Sequence, residues 1–67
     1  MSIKNRLKEF RHDKRMNQTE FASFLGINIS QYSRYETQKM QPNLETALEI
    51  SEKLNVTVNS IFQRVSE

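Results

Sequence analysis

The chain has 67 residues and a net charge of +2, with no cysteine, one histidine and one glycine. A chain this short buries only about 60% of the surface that its unfolded form exposes, so a disulfide, a metal or a second subunit usually supports such a fold. The cysteine count excludes disulfides, and His12 alone provides no pair of metal ligands. We therefore expect dimerisation, and neither a metal nor a cofactor.

Apolar runs and charge distribution narrow the class further. No stretch approaches the roughly 20 apolar residues of a membrane span, and none resembles a signal peptide, so we expect a cytoplasmic protein. Residues 1–41 hold eight basic and four acidic side chains, whereas residues 42–67 hold two basic and four acidic ones. The basic first part indicates a polyanionic partner, although a solvated surface of mixed charge is an alternative.

Two helices are predicted in the first part of the chain. Apolar side chains recur there at i, i+4 and i+7, namely Ile3, Leu7 and Phe10. This spacing predicts an amphipathic helix over about residues 3–14. A compact apolar patch then predicts a second helix over about residues 18–25, which ends at Gly26 because glycine adopts the left-handed conformation easily.

Three further helices follow, each preceded by a residue that can cap it. The predicted ranges are about 29–36 after Asn28, 44–54 after Asn43 and 58–64 after Thr57. Tyr32 and Tyr35 lie on the inner side of the third helix. Five helices without an alternating strand pattern predict an all-α fold, with residues 1–67 forming one domain.

The second and third helices have the dimensions of a helix-turn-helix unit. Two helices of about eight residues are joined by a short turn that contains Gly26. Ala22 lies where the two helices cross most closely. A larger side chain there would push the helices apart. In such units the second helix enters the DNA major groove.

Four sequence motifs carry a resemblance to a known family. They are NRLKEFR, NQTEFASFLGI, SRYE, and the pair PNLE and ALEI, in this order. From Ile3 through Phe62 the chain resembles the lambda-repressor-like (Cro/XRE-type) helix-turn-helix regulators of bacteria, plasmids and phages. The resemblance implies a compact five-helix domain that regulates transcription, and we expect a repressor that binds an inverted-repeat operator in double-stranded DNA as a homodimer.

The resemblance assigns base reading to the exposed face of the third helix. The matching positions are Asn28, Ile29, Ser30, Ser33 and Arg34. Arg34 suits a bidentate contact to guanine, and Ile29 suits the methyl group of thymine. The alternatives are an ordinary surface charge at Arg34, paired with a glutamate, and inward packing of Ile29. Gln31 points toward the DNA backbone edge.

The resemblance also implies contacts to DNA phosphates. The matching positions are Asn17, Gln18, Thr37, Lys39 and Gln41. For Asn17 the alternative is a role as helix cap only, and for Lys39 an ordinary solvated charge. The chain departs from the family at Arg15, where glycine often ends the first helix, and at Thr37 and Gln38, which replace a common Asn-Gly. These departures leave open which loop residue faces phosphate.

Two further sets of residues have structural roles. The resemblance implies that Arg11 and Glu36 form an ion pair between the first and third helices. The end of the chain carries more apolar side chains than so small a domain can bury, so we expect a dimer interface there, formed by Val56, Val58, Ile61, Phe62 and Val65. Alternatively, Val56, Ile61 and Phe62 close the core of one subunit, or the tail FQRVSE pairs as a strand between subunits.

Catalysis and protein binding are the two alternatives to DNA binding. Catalysis has little support, because His12 beside Asp13 is the only acid/base candidate and both lie on a charged helix face. A protein-binding module such as an antitoxin, with a protein partner, is the stronger alternative. The polar third helix favours DNA, since a protein-binding face is enriched in apolar anchors. No small-molecule ligand is indicated.

Overall fold

The computed structural model describes residues 2–66, which form five helices between two short terminal strands. The strands are β1, Ser2–Asn5, and β2, Phe62–Val65. The helices are α1, Leu7–Asp13; α2, Gln18–Leu25; α3, Ile29–Glu36; α4, Leu44–Leu54; and α5, Val58–Ile61. No helix in this described part is long and apolar enough to cross a membrane.

The two ends of the described chain pair with each other as an antiparallel sheet, with Asn5 opposite Phe62. The all-α prediction is therefore wrong at both ends. The first helix begins at Leu7 instead of near residue 3, and the last ends at Ile61 instead of near residue 64. The alternative of a strand in FQRVSE is correct for residues 62–65, but β2 pairs with β1 of the same subunit.

Strand pairing between distant segments explains why the helical interpretation of residues 3–6 failed. Ile3 continues the i, i+4 spacing to Leu7, yet Ile3 is 40% exposed whereas Leu7 is fully buried. The spacing of Ile3 was therefore a coincidence, and the hydrogen bonds of β1 go to a segment near the other end of the chain. The residues near Ile3 alone cannot predict a strand partner that is so distant in the sequence.

A buried core joins all five helices. Its members are Leu7, Phe21, Ala22, Leu25, Tyr32, Tyr35, Ile50, Leu54 and Ile61. The rings of Phe21 and Tyr32 meet edge to face with centroids 5.5 Å apart, which is a favoured aromatic geometry between α2 and α3. The predicted inward orientation of Tyr32 and Tyr35 is confirmed, and Ala22 is 2% exposed.

The apolar end of the chain mostly completes this core. Ile61 is fully buried within one subunit, which corrects its predicted place in a dimer interface. The reason is the terminal sheet: the Ile61 carbonyl accepts a hydrogen bond of 2.9 Å from the Arg6 amide, which holds the residue at the junction of α5 and β2. Val56 and Phe62 are partly buried and pack against the core. The alternative that these residues close the subunit core is correct for all three.

Side-chain caps define where the central helices begin. Asn17, Asn28 and Asn43 each accept hydrogen bonds from backbone N–H groups at the start of α2, α3 and α4. These bonds satisfy donors that have no partner within the helix. Thr57 precedes α5 but makes no capping bond, because its hydroxyl pairs instead with the Ser60 hydroxyl at 2.9 Å.

Four residues of the described chain have positive φ angles: Arg15, Gly26, Gln38 and Asn55. Gly26 ends α2 with φ of 74°, as predicted, and Asn55 ends α4 with φ of 58°. Arg15 has φ of 57° in the connection between α1 and α2. A side chain in this conformation brings Cβ close to the following carbonyl oxygen, so Arg15 is strained where glycine would not be.

We predict that Arg15→Gly raises the free energy of unfolding by about 0.5–1 kcal/mol. Relief of the left-handed strain, about 1–2 kcal/mol, is partly offset by the larger unfolded-state entropy of glycine. Urea denaturation of both proteins measures the difference.

Gly26→Ala is the matched control and should lower the free energy of unfolding. A Cβ at Gly26 would meet only the Lys53 Nζ at 3.8 Å, so the loss there reports backbone conformation and not crowding. A lower stability for Arg15→Gly would contradict the strain assignment.

Candidate nucleic-acid interface

Helices α2 and α3 are joined by a tight turn over residues 26–28. The Gly26 amide donates to the Ser23 carbonyl at 3.1 Å, and the Ile27 amide donates to the Ala22 carbonyl at 2.9 Å. The Asn28 side chain then accepts from the Ser30 amide at 2.8 Å and starts α3. These bonds pair the backbone amides of Gly26 and Ile27 and a free amide in the first turn of α3.

The inward face of α3 is anchored by an ion pair as well as by aromatic packing. Two Arg11 guanidinium nitrogens donate to the two Glu36 carboxylate oxygens, Nη2 at 2.8 Å and Nε at 3.1 Å. Their side chains are only 14% and 4% exposed. A third nitrogen, Nη1, donates to the Met16 carbonyl at 3.0 Å. Arg11 thus connects α1, the turn before α2 and the end of α3.

The ion pair changes the titration of the groups around it. Burial alone would raise the pKa of Glu36, but the hydrogen bonds from Arg11, the nearby Tyr32 hydroxyl and the positive charge of Arg11 lower it below its ordinary value. The hydrogen bond to Glu36 in turn raises the pKa of Arg11. Burial, followed by the neighbouring Glu36 carboxylate, raises the pKa of Tyr32. All three groups keep their ordinary charge at neutral pH.

The outward face of α3 is polar and accessible. Asn28, Ser30 and Arg34 are exposed, Ser33 is half-buried and Ile29 is 38% exposed. Arg34 forms no ion pair with any residue in the described range, so the pairing with a glutamate that was weighed for it is absent. Ile29 does not pack fully inward. The five residues predicted to read bases are therefore all at least partly accessible to a ligand.

The Gln31 side chain is turned away from that face. Its amide nitrogen donates to the Tyr35 hydroxyl at 2.7 Å. This bond satisfies the polar end of a buried tyrosine, so Gln31 supports α3 from the side.

Two loop residues that were predicted to contact phosphate make hydrogen bonds within the subunit. The Thr37 hydroxyl donates to the Ser33 carbonyl at 2.8 Å, so its one proton is not available to a phosphate. The Gln41 amide nitrogen donates to the Ile3 carbonyl at 3.1 Å and to the Gln38 side-chain oxygen at 3.0 Å. Because both of its protons are used, the geometry of Gln41 corresponds to a brace within the subunit instead of a phosphate ligand. Lys39 is exposed.

Asn5 is a structural residue that the sequence interpretation missed. Only 7% of it is exposed, and its amide nitrogen donates to the Tyr35 carbonyl and to the Gln41 side-chain oxygen, both at 2.8 Å. Its side-chain oxygen accepts from the Leu7 amide at 3.1 Å. The predicted first helix hid this role by including Asn5, although asparagine disfavours helix interiors and often precedes a helix.

A reciprocal pair of hydrogen bonds defines the start of α2. The Asn17 side-chain oxygen accepts from the Glu20 amide at 2.8 Å, and a Glu20 carboxylate oxygen accepts from the Asn17 amide at 2.9 Å. This reciprocal pair is a capping box. The capping role weighed for Asn17 is therefore present, and its side-chain NH₂ group is not used in the box. Gln18 is half-buried and contributes to the lowered pKa of Glu36.

Comparison with known proteins identifies the class to which this geometry belongs. A family model described as helix-turn-helix matches residues 7–61. The chain belongs to this helix-turn-helix family, of the Cro/C1 type.

Individual relatives agree with the family. The chain is 36% identical over 58 residues to the "SPbeta prophage-derived uncharacterized HTH-type transcriptional regulator YonR" of Bacillus subtilis, covering 87% of this chain and 54% of that protein. It is 28% identical over 64 residues to the "Cryptic phage CTXphi transcriptional repressor RstR" of Vibrio cholerae, covering 96% and 57%. The chain spans about half the length of these curated relatives.

A solved structure has the same fold. "Crystal structure of a putative DNA-binding protein from Bacteroides fragilis" superposes with a TM-score of 0.77 at 26% identity, covering 92% of this chain and all of that one. Most of the chain therefore has a fold already seen in a solved structure.

We predict that Glu36→Gln lowers the free energy of unfolding by about 3 kcal/mol at neutral pH, because Arg11 is left as a buried charge without its partner. Because folding lowers the pKa of Glu36, the pair contributes fully above the ordinary value of 4.5 and this contribution is lost as pH falls through the folded value.

Thermal or urea unfolding between neutral pH and about pH 3 tests this sign. The difference between parent and Glu36→Gln should shrink as pH falls below 4.5. The exposed ion pair of Arg6 and Glu9 offers a control: Glu9→Gln should lower the free energy of unfolding much less than Glu36→Gln does. An equal loss in both variants would contradict the buried-pair assignment.

Proposed function

We propose that the protein is a sequence-specific transcriptional repressor that binds an inverted-repeat operator as a homodimer. In this proposal α2 and α3 form the helix-turn-helix unit, and α3 is the recognition helix in the major groove. The observation that carries it is the contrast between the two sides of α3. Tyr32, Tyr35 and Glu36 are buried behind, whereas Arg34 is exposed in front with no ion pair in the described chain.

The proposed base readers follow from side-chain chemistry. The planar Arg34 guanidinium can donate two hydrogen bonds to the major-groove edge of guanine, and Ile29 offers an apolar contact to a thymine methyl group. Ser30 and Ser33 supply hydroxyls to either base pair. The Asn28 side-chain nitrogen is not needed for its capping bond, which uses the oxygen. This face therefore combines donors with one apolar side chain, as base-edge recognition requires.

Phosphate contacts in the proposal come from both ends of the unit. Asn17 and Gln18 stand at the start of α2, where backbone N–H groups and the helix dipole favour an anion. Lys39 contributes a positive charge from the loop after α3. Thr37 and Gln41 are left out of this set because their donors are engaged within the subunit.

The repressor and homodimer parts of the proposal have separate supports. RstR is a transcriptional repressor by name, and this chain aligns with 57% of it. Val58 and Val65 are half-buried near the end of the described chain, and partly exposed apolar side chains at that end suit a second subunit. Two recognition helices would then meet half-sites about 34–36 Å apart along the duplex.

A protein-binding role, as in an antitoxin, is the second candidate function. Leu44 is 72% exposed and Leu48 45% exposed, and their i, i+4 spacing puts both on one side of α4. Exposed apolar pairs of this kind serve protein contacts better than DNA contacts. This role is compatible with DNA binding, because α4 and α3 present different surfaces.

Selection of bound duplexes from a random pool at physiological salt tests the proposal, because nonspecific phosphate binding is weak there. We expect enrichment of an inverted repeat whose half-sites are about one helical turn apart. No enrichment would favour the protein-binding candidate. Enrichment of single half-sites would remove the homodimer while leaving sequence-specific binding in place.

Base and phosphate contacts should respond differently to mutation. We predict that Arg34→Ala costs about 1–3 kcal/mol on the selected operator and relaxes preference at one base pair. Lys39→Ala should weaken binding to all duplexes alike. Affinities for the operator and for single-base variants of it provide the measurement. An equal loss of discrimination in both variants would contradict this division of roles.

A further inference from the structure

A cluster of three side-chain amides connects the terminal sheet to the loop that carries Lys39. We call Asn5, Gln38 and Gln41 the amide clamp. The Gln38 side chain bonds both backbone groups of Asn5: its oxygen accepts from the Asn5 amide at 3.1 Å, and its nitrogen donates to the Asn5 carbonyl at 3.0 Å. Gln38 thus occupies the place that a neighbouring strand would take beside β1.

The Asn5 side chain completes the cluster from the inside. Its nitrogen donates to the Tyr35 carbonyl, in the last turn of α3, and to the Gln41 side-chain oxygen. The Gln41 nitrogen returns two bonds, to the Ile3 carbonyl and to Gln38. Because each donor and acceptor of a buried amide needs a partner, this network strongly restricts where the loop can lie relative to β1.

Lys39 and Met40 are the two residues enclosed by the clamp along the chain. Their backbone amides both donate to the Arg34 carbonyl, at 2.9 and 3.3 Å. Gln38 has φ of 66°, so the chain reverses immediately before Lys39. The backbone at Lys39 is therefore held on one side by the end of α3 and on the other by the clamp.

We propose that the amide clamp positions Lys39 for contact with a DNA phosphate, so that the terminal strand β1 takes part in DNA affinity without touching DNA. Asn5, Gln38 and Gln41 are positioning residues, and they act through Lys39. This inference rests on the proposed DNA-binding function. It requires that a variant with a weakened clamp and a variant without the Lys39 ammonium group lose the same phosphate contact.

The salt dependence of binding separates positioning from simple support of the fold. Each phosphate contact contributes about 0.9 to the slope of log affinity against log salt concentration. We expect Lys39→Ala to lower the magnitude of this slope by about 0.9 per bound subunit. The double variant Gln38→Ala/Gln41→Ala should lower it by a similar amount, and adding Lys39→Ala to that double variant should change it no further.

Two controls exclude trivial causes. Gln63→Ala removes an exposed glutamine from β2, and Ile50→Val weakens the core at a buried residue of α4. Both variants should have the same slope of log affinity against log salt concentration as the parent protein. For Ile50→Val this should also hold at the temperature where it and the clamp variant are equally destabilised. Hydrogen exchange at the Lys39 and Met40 amides should be faster in the clamp variant and unchanged in Gln63→Ala.

The probe is the operator duplex from selection, or a fixed mixed-sequence duplex if no operator is enriched. The positioning proposal is overturned, while DNA binding stands, if the double variant Gln38→Ala/Gln41→Ala has the same salt slope as the parent protein. It is also overturned if adding Lys39→Ala to the double variant lowers the slope further. A parent protein that binds neither duplex overturns the DNA-binding function together with the inference. The two failures are therefore distinguished by the parent protein alone.

Discussion

The placement of α3 depends on the buried ion pair between Arg11 and Glu36. One guanidinium bonds both carboxylate oxygens and the Met16 carbonyl, so α1, the turn before α2 and the end of α3 share a single hub. Displacement of α3 would leave two poorly solvated charges without partners, which is costly in a protein interior. The ion pair therefore acts mainly by making displaced positions of α3 unfavourable. Its contribution to stability, compared with apolar residues at the same two positions, is the smaller effect.

The two sides of the eight-residue helix α3 have different roles: the inner side attaches the helix to the core, and the outer side is accessible. Tyr32, Tyr35 and Glu36 use the inner side for packing and charge pairing. The outer side keeps its hydrogen-bonding groups, because the caps and the ion pair satisfy the backbone and the buried charge elsewhere. Substitutions on the outer side can therefore be made with little effect on the core.

Local chemistry made the central helices predictable. The predicted ranges 18–25, 29–36 and 44–54 agree with the structure, since asparagine caps and the left-handed Gly26 act within a few residues. The terminal sheet was not predictable in this way, because its two strands come from opposite ends of the chain. The pair of Arg11 and Glu36 was likewise suggested by family resemblance and not by spacing.

The candidate site was predictable at the level of its exposed face and less so in its loop. Which donors of Thr37 and Gln41 remain available depends on the loop path, and that path follows from the left-handed Gln38 and from β1. A strand edge needs protection against pairing with other chains, and here glutamine amides cover the outer edge of β1. The same hydrogen bonds that close this edge also fix the loop beside α3, so edge protection and loop placement are one structural solution.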